Sequence, residues 1–159
     1  MNPTTAAHIH LMLCHTPVLT IMFGVALLII GLLRGDQGDQ KISLILLVGA
    51  AALTIPVYLT GEPAVGAAKG SPEFVDSILE RHKTVSALAM AGCVVLGIVA
   101  LAGLLLFRSR NLTRWFGFVL LVTGMIECVV LIWTSNLGGQ IRHSEIRAEV
   151  VDGSTESLS

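Results

Sequence analysis

The residues of this sequence best suited to chemistry are its histidines, His8, His10, His15, His82 and His143, with Met12 and Cys14 set among the first three. Imidazole binds iron, copper or zinc through one ring nitrogen and exchanges protons near neutral pH. No Cys-x-x-Cys-His run occurs, which excludes covalent attachment of a c-type haem. The absence of a His-Glu-x-x-His signature argues against zinc hydrolysis. A haem b gripped by one imidazole from each of two helices needs neither motif. Copper is the competing metal, because His10, Met12, Cys14 and His15 bring imidazole, thioether and thiol within six residues. On a single helix, however, His15 points about 100° away from Cys14 and only His10 shares a face with it. A compact copper site would require that segment to unwind.

The elements that must position these residues are long apolar runs. Of the 159 residues 53% are hydrophobic and 13% charged, and mean hydropathy is +0.80. A soluble domain carries about twice that charged fraction, so the surplus belongs in a bilayer. Ala6 to Leu33 contains no Asp, Glu, Lys or Arg, and nothing basic precedes it, so it reads as a mature span rather than a secretory leader. Ile42 to Thr60 is a second run; Pro56 and the Gly61-Glu62-Pro63 that follows predict that its helix stops there. Thr84 to Phe107 is a third, entered through Ser71-Pro72-Glu73, where a helix is expected to begin, and a polar helical lead-in with Asp76 and Glu80. Trp115 to Leu137 is the fourth, interrupted by Glu127 and expected to end at Gly138-Gly139. The expectation is an all-α membrane four-helix bundle, up-down-up-down, over residues 6–147. An acidic, Ser-rich tail over 148–159 is expected to be disordered.

Antiparallel spans carry the N-terminus, the Gly61 to Arg81 connection and the C-terminus to one face, side A, and the two short loops to the other, side B. All five histidines fall on side A. Side B packs Arg34, Lys41, Arg108, Arg110 and Arg114 into two short loops, whereas Lys69, Arg81, Lys83, Arg142 and Arg147 spread over side A. The positive-inside rule then makes side B cytoplasmic, which places both termini on the periplasmic face of a bacterial inner membrane. A net charge of −1 argues against nucleic acid as a partner.

Helical phase sorts the faces. From His82 it passes Ser86, Ala89, Cys93, Leu96, Ala100 and Gly103, a small-residue stripe of the kind that packs against other helices. In the first span, His8, Met12, His15, Leu19 and Met22 share a stripe. His15 and His82, opening two parallel spans at similar depth, are therefore the expected axial pair for one haem, with His143 as the substitute ligand. Gly138-Gly139 allows an abrupt stop or close approach of backbone to a flat ligand. Arg142 suits a haem propionate, or else faces solvent and headgroups. Cys93 and Cys128 read as small apolar packing residues.

The motif residues His10-Leu-Met-Leu-Cys-His15-Thr-Pro17, His82 at the third span, and Gly138-Gly139-Gln-Ile-Arg142-His143 resemble a widespread bacterial family of small four-helix membrane proteins of unknown function, patterned His-x4-His-x-Pro, third-span His and Gly-Gly leading to Arg-His. The resemblance runs from about Ala7 to Arg147 and departs at Leu11, where the family commonly has Pro. It implies haem binding by those histidines and no settled activity.

Glu127 stands mid-span, where an ionised carboxylate costs about 2.5–3.5 kcal/mol on insertion scales. It is expected to be neutral, paired or buried, on a packing stripe with Gly117, Leu120, Gly124, Leu131, Thr134 and Gly138. Hydrogen bonding across the bundle or to another subunit is one reading of it, and a proton-relay or quinone-site acid the other. Glu62, at the side A end of the second span, is a solvated loop acid or a neighbour of the histidines. With no nucleophile triad, phosphate loop or dinucleotide fingerprint, no independent enzyme is expected. The first expectation is a b-type cytochrome-like subunit passing electrons between a quinone or membrane enzyme and a periplasmic redox partner. The second is an accessory subunit without a cofactor, filling a larger membrane complex.

Overall fold

The computed structural model describes residues 2–69 and 74–141. The expected tail, Ser71-Pro72-Glu73, Arg142 and His143 lie outside them. The described chain forms α1 (Pro3–Leu13), α2 (His15–Arg34), α3 (Gln37–Ala68), α4 (Asp76–Leu106) and α5 (Arg114–Gln140). The first span is α1 and α2 together, and it, α3, α4 and α5 are each long and apolar enough to cross a bilayer. Packing runs α2 on α3, α3 on α4, α4 on α5 and α5 back on α2, with α1 lying along α3. This is the up-down-up-down bundle of a multi-pass membrane protein.

Four expected boundaries move. The first span is interrupted for one residue at Cys14 because Pro17 has no N–H to offer the Leu13 carbonyl; the Thr16 hydroxyl donates there instead, at 2.7 Å. The second helix does not stop at Gly61-Glu62-Pro63: α3 continues through Pro56 and Pro63 to Ala68. Proline is tolerated inside a membrane helix where neighbouring helices pack on the bend, and here α1 lies alongside α3. The fourth helix likewise runs past Gly138-Gly139 to Gln140. The third span's helix starts later than the Ser71-Pro72-Glu73 expected for it: Phe74 is non-helical, Val75 is an extended N-cap, and α4 begins at Asp76, so Asp76 and Glu80 lie in it.

Packing follows small residues. Gly97 accepts Ala51, Gly124 accepts Val25, and the sealed interior comprises Ile21, Leu28, Leu44, Leu47, Cys93 and Leu120. Large apolar side chains such as Phe23, Leu33, Ile98 and Val129 face outward, which suits a lipid surround. Trp115 and Trp133 on α5 are both exposed. At about 1.5 Å per residue they stand about 27 Å apart, close to the hydrocarbon thickness of about 30 Å, and so mark the two interfaces.

Side B is fastened by one side chain. Gln40, 3% exposed, donates from Nε2 to Gly31 O at 3.0 Å and accepts at Oε1 from Leu112 N–H at 2.9 Å. It thereby ties the α2 end to the loop between α4 and α5. Beside it, Asn111 Nδ2 donates to Gly35 O at 2.8 Å. Gly35, at φ 66°, ends α2 in the left-handed conformation that glycine adopts freely, and Asp36 caps α3 by accepting from Asp39 N–H at 2.8 Å. Gln40→Leu leaves the Leu112 N–H buried without a partner, a penalty of about 1–3 kcal/mol. The expected result is a lower thermal unfolding midpoint in detergent, while Asn111→Ala, at an exposed bond, changes it less.

Candidate site at the side A end of the bundle

Two histidines enter the bundle at its side A end, and their surroundings repeat. His10, on α1, has Nδ1 2.9 Å from Val57 O and 3.2 Å from Thr60 Oγ1 on α3. His82, on α4, has Nδ1 3.1 Å from Thr134 O on α5. In both cases a glycine stands four residues after the accepting carbonyl and leaves room for the ring. A methyl group at Gly61 would lie 3.4 Å from His10 Cε1, and one at Gly138 would lie 3.2 Å from His82 Cε1. Gly138 therefore serves as a seat for an imidazole, not as a helix stop.

A carbonyl oxygen only accepts, so Nδ1 must be the protonated nitrogen in each ring. That leaves the Nε2 lone pair of the neutral imidazole available, the tautomer used when a backbone carbonyl orients a metal-binding histidine. The two rings lie at one depth: His10 contacts α3 at Val57 to Gly61, and the next residue, Glu62, pairs with Lys83 beside His82 at 3.1 Å. This ion pair is solvent-exposed enough to contribute little stability. Arg81 covers the exposed Trp133 ring at 5.5 Å.

The other expected residues are distributed differently. His15 is exposed, on the same outward stripe as His8, Met12, Leu19 and Met22, so it is not brought to His82. The inward stripe of the first span is Ala6, His10, Leu13, Pro17, Ile21, Gly24, Leu28 and Gly31. The small-residue rule that oriented His82 finds His10 when followed back from Gly31 and Gly24. Glu62 faces Lys83 rather than a ring. Cys14 turns its thiol back to Leu11 O at 3.3 Å, away from the His10 partners on α3. Among the described residues no group of three or more His, Cys, Asp or Glu side chains is placed to hold a metal ion. A haem iron, whose porphyrin supplies the equatorial nitrogens, needs only axial ligands from protein.

Comparison of the chain with family models, curated proteins and solved structures finds no match.

If the glycine seats fix the rings, Gly138→Val must push His82 away from Thr134, at a cost of about 1–3 kcal/mol for overpacking. Nitrogen-15 spectra of ring-labelled protein read this directly. His10 and His82 are expected to show protonated Nδ1 in the parent protein, and only His82 to lose that signature in Gly138→Val.

Proposed function

We propose that this chain is a b-type cytochrome-like membrane subunit, holding one haem at the side A end of the bundle with His10 and His82 as axial ligands. The supporting observation is the pair of imidazoles anchored through Nδ1 to main-chain carbonyls of other helices, at one depth and each keeping Nε2 for a ligand. Haem b would supply a one-electron couple there. The chain supplies ring orientation and a wall of glycine and threonine at the two rings. The resemblance of the motif residues to the family of small four-helix membrane proteins supports the same reading. On it, electrons pass between a quinone or membrane enzyme and a periplasmic redox partner.

Visible spectra of the full-length protein, expressed with ample haem, test the reading. Two axial imidazoles give low-spin iron with sharp reduced α and β bands. These bands are expected in the parent protein and in His15→Ala, and lost in His10→Ala and in His82→Ala. Loss in His15→Ala with retention in His10→Ala would return the ligand to the outer stripe. A parent protein without haem would end this reading in favour of an accessory subunit fastened by the two histidines.

The dense cations of the short loops support an orientation in the bacterial inner membrane with both termini periplasmic. Impermeant thiol reagents on intact spheroplasts, with the native cysteines replaced, are expected to label Ser154→Cys and spare Gln37→Cys. The reverse pattern would put the histidines on the cytoplasmic side.

A further inference from the structure

Glu127 is the central residue of α5, about 20 Å from either end at about 1.5 Å per residue. It is 6% exposed. Its Oε1 accepts from the Cys93 thiol of α4 at 3.3 Å, and the Thr54 hydroxyl of α3 donates to Ala50 O. Cys128 is the remaining titratable neighbour of Glu127. Among the described residues it forms no ion pair. The rest of the carboxyl group lies over Gly92, where a methyl group would overlap Oε2. Gly92 is half-buried and lies on the same face of α4 as Leu88 and Val95, which are 63% and 61% exposed. The carboxyl group therefore fills the space over Gly92, next to the lipid-facing surface and not at either aqueous end.

From this placement we propose that Glu127 is a proton-binding site inside the hydrocarbon core, carrying its proton at rest and seated over Gly92 beside the lipid-facing surface, within reach of lipid-soluble molecules. An ionised carboxylate without a cation at this depth is costly, and a thiol is too weak a donor to offset it. The acid form needs no counter-ion and can itself donate. Glycine at position 92 then has a purpose beyond packing, since any side chain would displace the carboxyl group. This inference is independent of haem binding.

Dicyclohexylcarbodiimide, which is lipid-soluble, tests it. The acid proton moves to a carbodiimide nitrogen, the carboxylate oxygen bonds to the central carbon, and the adduct rearranges to a stable N-acylurea with no group lost. Peptide mapping of the full-length protein in nanodiscs is expected to show the label on Glu127, and loss of it in Glu127→Gln and in Gly92→Ala. A water-soluble carbodiimide is expected to reverse the pattern, labelling exposed Glu62 and Glu80 and sparing Glu127. An unlabelled Glu127 in the parent protein, or equal labelling by the water-soluble reagent, would overturn the proposal. Unchanged labelling in Gly92→Ala would overturn the seat over Gly92. Infrared spectra supply a reading that does not depend on reagent access or on Gly92→Ala folding. A carboxylic C=O band present in the parent protein and absent from Glu127→Gln is expected; identical spectra in that region would overturn the proton.

Discussion

Apolar helices in a bilayer gain little by moving a leucine from lipid to another leucine, so association depends on how closely the helices approach. In this chain the close approach comes from small residues. Gly24, Gly97, Gly103, Gly117 and Gly124 each stand against a side chain of another helix, and the larger apolar side chains are left outside. Every other feature depends on that choice of faces. Once Gly24 and Gly31 face inward, helical phase takes His10 inward and His15 outward. Once Cys93 and Gly103 face inward, His82 follows.

Polar side chains then fix what small residues permit. Gln40 joins two loops at side B, and His10 and His82 join helix pairs at side A, in each case by bonding a main-chain group of another element. Such bonds have few competitors in a low-dielectric surround, which makes them effective as register marks. Glu127 belongs to the same class of cross-helix contact but differs in one respect: its partner is a thiol, a weak donor, and the rest of its carboxyl group lies over Gly92. The two histidines differ from Gln40 in keeping one unused nitrogen each. A fastener needs no spare lone pair, whereas a ligand does.

The bundle was legible because charge-free runs and hydrocarbon thickness fix the number of spans. The burial of the His82 and Glu127 stripes was legible from the spacing of glycine, alanine and cysteine. Helix ends were less so: Gly61-Glu62-Pro63 and Gly138-Gly139 are stop signals in water, yet in this bundle both segments stay helical because a neighbouring element packs on them. His15 was preferred over His10 because the first-span stripe was traced through methionine rather than through Gly24 and Gly31. The seating of each imidazole over a glycine four residues beyond a carbonyl needs knowledge of which helices touch, and no single stretch of sequence contains that.

The central claim is the phase of the first span, because it decides which histidine shares the bundle end with His82. Spin labels placed one at a time from His8 to Leu19, in protein reconstituted into bilayers with Cys14, Cys93 and Cys128 replaced, measure it through collision with oxygen and with a water-soluble relaxant. Low mobility and low collision rates at positions 10, 13 and 17, with high values at 8, 12, 15 and 19, are the predicted pattern. Protection at 15 together with exposure at 10 would contradict it.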